Sequence, residues 1–263
     1  ANAILFAVAA AGFVVSASLA LRIPRHQLGP DGAQPARPRD ILVGLGEALR
    51  HLSQRRPAAL GLLTIGAHRV VYGVVTVAMI LAYRNYFNAI TDVDAAIADL
   101  GLLAAVTGAG FVLAAVVTPP TTSRIGVRAW ITTSLVASGL LQVFPGSIYS
   151  EVALLVAALL LGITAQSIKI CVDTLVQAHV DDDFKGRVFV LYDMVFNVAL
   201  VLAAAIGALI LPANGKSEVV LVCLAASYLL TALAFAVLSR GLDLNAGTES
   251  LRAQQPAPAA ELR

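Results

Sequence analysis

An ionisable side chain inside an apolar helix is costly in a bilayer, so the few such residues in this chain are its first functional candidates. Arg69 stands in GLLTIGAHRVVYG, about 16 Å into its apolar run at 1.5 Å per residue, near the depth of a bilayer midplane. His68 precedes it. Tyr72 falls on the same helical side as both. A cation at that depth needs a cavity or a carboxylate, so two readings stand. Arg69 lines a pathway and meets an anionic group, or it pairs structurally with another helix. His68 is either a packing histidine or a titrating group on that pathway.

Lys169 and Asp173 are four residues apart in TAQSIKICVDTLVQAHV, which places them on one helix face where they can neutralise each other. Gln166 and Gln177 extend the polar stripe. The pair is an intrahelical bridge near the membrane surface or part of a gate on a cavity-facing helix. The segment VDDDFKGRVFVLYDMVFN follows. Its Asp181, Asp182 and Asp183 run into Lys185, Gly186 and Arg187, and Asp193 sits inside the next apolar stretch. Asp173, Arg187 and Asp193 are expected to form a charge cluster that ties two helix ends and holds one of two rigid-body states. Gly186 is expected to permit a tight helix entry.

No enzyme signature is present: there is no GxSxG, HExxH, P-loop or glycine-rich nucleotide fingerprint. His26, His51, His68 and His179 lack metal-ligand spacing, and Cys171 and Cys223 read as small apolar packers. Neither a cofactor, a metal nor a nucleic-acid partner is indicated.

The elements that must hold these residues are long and apolar. The chain is 59% hydrophobic and 13% charged, where a soluble domain carries nearer a quarter. Seven spans are predicted, at 1–21, 58–82, 97–118, 129–147, 152–176, 187–211 and 218–239. They are too long and too continuously apolar for barrel strands. The fold class is therefore an all-α membrane protein with seven transmembrane helices. Basic residues favour alternate loops, including 22–57, Arg124 with Arg128, and Lys185 with Arg187. By the positive-inside rule these loops and the C-terminus are cytoplasmic, and residue 1 lies outside. A first residue that is not Met suggests a longer chain.

Residues 22–57 read as a cytoplasmic linker rich in Pro, Gly and Arg. Asp40 is expected to cap an amphipathic helix over 40–54, with Ile41, Leu42, Leu45, Leu49 and Leu52 on one stripe. That helix lies flat on the membrane or packs on the bundle floor. Residues 240–263 read as a disordered cytoplasmic tail.

The order of these elements resembles the middle and C-terminal half of a major facilitator superfamily transporter. DILVGLGEALRHLSQRRPAAL is similar to the connector between its two six-helix halves. KICVDTLVQAHVDDDFKGRVFVLYDMVFN is similar to the loop between the tenth and eleventh helices of the exporter branch that includes enterobactin and multidrug efflux permeases. TPPTTSRIGVRAW resembles a decayed form of the family's basic loop motif: Arg124, Gly126 and Arg128 match, and its usual Asp is absent. The resemblance implies that 1–21 is the sixth helix and 58–239 the C-terminal six-helix bundle. It also implies that the N-terminal half is a partner missing from this chain. Arg69, His68, Tyr72, Gln166 and Lys169 would then line the substrate and proton pathway. Asp173, Arg187, Asp193, Lys185, Gly186, Arg124 and Arg128 would form a cytoplasmic gate. The function implied is proton-coupled efflux of a small amphiphilic or anionic molecule by alternating access in the plasma (inner) membrane. A transporter-like structural or assembly subunit and a lipid flippase are the alternatives.

Overall fold

The computed structural model describes residues 2–23, 38–89 and 91–245. The linker reading over 24–37 and the tail reading over 246–263 lie outside them. Every regular element among the described residues is helical: α1 (Asn2–Ala20), α2 (Pro38–Gln54), α3 (Arg56–Ala82), α4 (Val93–Val143), α5 (Glu151–His179), α6 (Asp182–Ile210) and α7 (Glu218–Leu238). A π-helical turn, Tyr83–Phe87, extends α3. Five helices, α3 to α7, are long and apolar enough to cross a membrane, and α1 contributes a shorter apolar run. Residues 1–43 and 44–263 form separate compact units. In the first, the side chains described along α1 are exposed.

The range α4 holds two helices that meet at a kink at Gly126, between the third and fourth predicted spans. The chain stays helical through Pro119 and Pro120, where a loop was expected. Proline lacks the N–H that would bond the carbonyl four residues back. Nearby, Thr121 donates to the Val117 carbonyl at 2.7 Å and Ser123 to that of Pro120 at 2.8 Å, neither being a carbonyl that the prolines leave open. The reversal comes at Gly126, with φ 84° and ψ 159°. A side chain in that left-handed region would cost about 1–2 kcal/mol. The arms of α4, 93–125 and 127–143, run about 50 Å and about 25 Å at 1.5 Å per residue, against a hydrocarbon core of about 30 Å. Its two arms, before and after Gly126, lie side by side, since Thr118 bonds the Ser167 hydroxyl of α5 at 2.9 Å and accepts from the Trp130 indole of the second arm at 3.4 Å. The bundle in 44–263 therefore has six crossings.

Small residues set how the helices approach. Gly66 lies against Val195, Gly73 against Ala203 and Gly207 against Val77, so α3 and α6 run parallel in close contact. Gly110 of the first α4 arm faces Gly162 of α5. This is how apolar helices associate where lipid removes any hydrophobic drive between them.

Arginine and lysine concentrate at one end of the bundle, where α3 and α6 begin. There α2 packs on the floor: Ala48 and Leu52 join the buried core, while Leu49, from the same expected stripe, stays exposed. Asp40 falls inside the first turn of α2 rather than before it, which corrects the capping assignment. At the opposite end the Lys216 ammonium lies 5.0 Å from the ring centre of Tyr86 and 4.7 Å from that of Tyr149.

Candidate functional site

Four helices bring polar groups together in the bundle's middle. Arg69 lies about 20 Å along α3 from Arg56, and Lys169 and Tyr192 lie about 15 Å from the basic ends of α5 and α6. The three therefore share one depth. The Arg69 guanidinium sits over the Phe196 ring of α6, 3.8 Å from its centre, and 5.6 Å from the Tyr72 ring centre. Among the described residues no carboxylate comes within ion-pair distance of it and no hydrogen bond engages it. Asp173, Tyr192 and Tyr228 lie within its electrostatic reach. Its Nε is buried without a partner, while its terminal nitrogens keep solvent access. Among the described residues aromatic faces, one of them Phe196 on another helix, stand against the charge, and no carboxylate does.

His68 points the other way. It is 1% exposed, with the rings of Tyr72 and Tyr228 each 5.7 Å away. It is a core histidine here and does not line an open path. Its ring nitrogens and the Tyr228 hydroxyl meet no hydrogen-bond partner among the described residues. Such orphaned groups cluster around Arg69, and buried polar groups are normally satisfied.

Lys169 and Asp173 form the expected bridge, Nζ to Oδ2 at 2.6 Å, with both side chains partly exposed. The Lys169 ammonium also lies 5.6 Å from the Tyr192 ring centre, which joins the pair to α6. Asp173 also faces the Tyr192 hydroxyl of α6. Gln166 is half-buried one turn before Lys169 and makes no hydrogen bond to the cluster.

The expected cluster of Asp173, Arg187 and Asp193 does not form. Asp173 is committed to Lys169. Arg187 bonds Glu47 of α2 at 2.9 Å. Asp193 is exposed on α6, away from both. Lys185 bonds Asp182 at 2.6 Å within its own helix. Gly186 lies inside α6, which starts already at Asp182, and a Cβ there would meet nothing within 4 Å. It is an ordinary helical position and not a tight entry. Arg124 is exposed. Arg128 donates to the carbonyls of Ser239 and Leu242, tying the α4 reversal to the end of α7.

The basic end is held instead by α2. Arg55 donates to both oxygens of Asp181, at 2.7 and 2.6 Å. His51 stacks on Phe184, centres 4.3 Å apart and planes 5° apart, and its Nε2 lies 3.8 Å from Asp181. The Arg55 guanidinium bonded to Asp181 holds that carboxyl below the usual carboxylate range. Sequence reasoning missed these contacts because they join positions over a hundred residues apart. It also missed Tyr192, Phe196 and Tyr228, although LYDMVF carries Tyr192 and Phe196 at helical spacing.

A family model described as Major Facilitator Superfamily matches residues 59–263. Among curated proteins, an uncharacterized MFS-type transporter of Mycobacterium bovis and one of Mycobacterium tuberculosis are each 32% identical over 238 residues, covering 87% of this chain and 52% of the relative. The chain thus spans about half the length of the curated relatives it matches. No solved structure gives a significant match.

Proposed function

The chain belongs to the Major Facilitator Superfamily, a family of membrane transporters and not of enzymes, and from that premise we propose that the protein is a proton-coupled exporter of a small amphiphilic anion. It works by alternating access, together with an N-terminal half that this chain does not contain. The observation that carries the reading is Arg69. A cation at mid-depth, stacked on Phe196 with no carboxylate beside it, keeps its donors for an anionic ligand. The neighbouring Lys169–Asp173 pair supplies a titratable partner. A proton on Asp173 would release Lys169, and a ligand at Arg69 would change the field across Tyr192 between them. Transport follows only if ligand and proton bind the two access states unequally.

At the basic end, Glu47–Arg187 and Arg55–Asp181 stand in place of the expected gate cluster, joining α2 and the residue between α2 and α3 to the start of α6 and the residue before it. In this reading the basic end is cytoplasmic, by the positive-inside rule, the C-terminus with it, and the membrane is the plasma (inner) membrane.

The test is a flux assay with full-length protein in liposomes under an imposed proton gradient, using a panel of amphiphilic anions and cations, wild type against Arg69→Ala. Gradient-driven export of anions, lost in the variant with folding intact, is expected. Export of cations alone, or anion export indifferent to Arg69, would overturn it.

A further inference from the structure

An apolar groove opens beside Arg69. It encloses about 510 Å³ between α3, the first arm of α4 and α5. Tyr72, Thr76 and Ile80 form its α3 wall, facing Ala104 and Gly108 of α4 and Leu161 of α5. Tyr72 is also the ring beside the Arg69 guanidinium. Arg69, Tyr72, Thr76 and Ile80 follow one another at helical spacing, so the cation stands at the groove's lower end on the same stripe. From Tyr72 the groove runs about 12 Å along α3, away from the basic end.

We propose that this groove and Arg69 make one binding site for an amphiphile with a single anionic head and one apolar tail. The head, a carboxylate or phosphate, takes the free terminal nitrogens of Arg69, whose forked geometry suits two parallel bonds. The tail lies up the groove against Ala104, Gly108 and Leu161. Charge complementarity selects this occupant. A neutral apolar segment, such as part of a second half of the protein, would fill the groove and leave an unpaired cation at mid-membrane depth. A cationic amphiphile would meet repulsion. The site rests on the proposed pathway role of Arg69 and adds the form of the ligand and its direction: head at mid-depth, tail away from the basic end.

The test is equilibrium binding, which needs no transport. Full-length protein in nanodiscs of zwitterionic lipid is titrated with decanoate, decanol and decyltrimethylammonium by calorimetry. Gly108→Trp fills the groove at a position where a Cβ meets nothing within 4 Å, and Arg69→Gln removes the charge. Expected is saturable decanoate binding, weakened about tenfold or more by Arg69→Gln, since charge-assisted bonds are lost, and abolished by Gly108→Trp. Leu233→Trp, on the exposed face of α7, controls for folding and binds like wild type. An anionic lysolipid added to the disc, which carries the same head charge and a single tail, is expected to displace decanoate; failure to compete overturns the single-tail assignment. Equal binding of decanol and decanoate, or decanoate binding insensitive to Gly108→Trp in a folded variant, overturns it. Binding without flux would leave this site standing and defeat the transport reading; flux without groove-dependent binding would do the reverse.

Discussion

Replacing Gly162 by Ala should force α5 away from the first arm of α4. A Cβ there would fall 2.6 Å from the Thr107 carbonyl and 3.4 Å from the Gly110 Cα. Ordinary contact starts near 3.4 Å, so the helices must part locally by close to 0.8 Å, the difference between 3.4 and 2.6 Å. A gap of that size forfeits about a quarter to a half of the dispersion well of each contact it opens. Overpacking of this kind costs about 1–3 kcal/mol. Against it stands the better helix propensity of Ala, up to about 1 kcal/mol. At the middle of these ranges a net loss of about 1 kcal/mol remains, or roughly 2–4 °C in melting temperature for a chain of this size. Gly110→Ala should behave alike, since its Cβ meets the Leu159 carbonyl and lies 3.1 Å from the Gly162 Cα. The pair is not additive. Once the helices have parted for one methyl group, the second enters space already opened, so the double variant should lose less than the sum. Gly101→Ala and Gly186→Ala, where a Cβ meets nothing within 4 Å, are the controls and should match or exceed wild type. Melting of detergent-solubilised full-length protein, followed by intrinsic fluorescence, reads all five. Single variants at the wild-type temperature, or a double variant equal to the sum, would refute the close-packed crossing.

Three further outcomes are expected. Gly126→Ala should lower stability by about 1–2 kcal/mol, because its φ of 84° is left-handed, read by the same melting assay. Lys169→Met and Asp173→Asn should each destabilise more than the two together, since either alone strands the partner's charge and the pair removes both charges; the single losses should stay under the roughly 3–5 kcal/mol of a fully buried pair, because these side chains are partly exposed. Asp181→Asn should melt below wild type at neutral pH, with the gap closing as pH falls. The folded carboxyl titrates below its unfolded value, so its contribution is complete above about pH 4 and disappears as pH drops through the lower folded value; a gap that persists at low pH would show that charge is not what Asp181 supplies.

Sequence pattern carried the helices and their membrane character, because twenty apolar residues have few other fates. It placed the break in α4 too early, since the helix continues through Pro119 and Pro120 and the punctuation that matters is Gly126. Local pairs were equally readable: Lys169 and Asp173 meet because helix geometry alone joins positions four apart. The gate cluster failed for the complementary reason. Arg187 has four aspartates within six residues, Asp181, Asp182, Asp183 and Asp193, yet its partner is Glu47, brought in by the packing of Ala48 and Leu52. No periodicity encodes which of several acidic groups a long flexible cation will find.

The two cations at mid-depth show how differently a bundle can hold charge. Lys169 has spent its charge on Asp173, and displacing that carboxylate requires a proton or a competitor. Arg69 rests on the faces of Phe196 and Tyr72. An aromatic face stabilises the cation by about 2 kcal/mol when water is excluded, without occupying a single N–H. A carboxylate in the same place would be stronger and would consume the donors that an anionic ligand needs. A guanidinium also stacks flat where an ammonium cannot. Arg69→Lys should therefore keep the bundle folded and the charge in place while losing both the stacking on Phe196 and two-point binding. In the decanoate titration it should fall near Arg69→Gln and not near wild type. If Lys binds decanoate as Arg does, the site reads charge alone, and the forked geometry assigned to Arg69 is wrong.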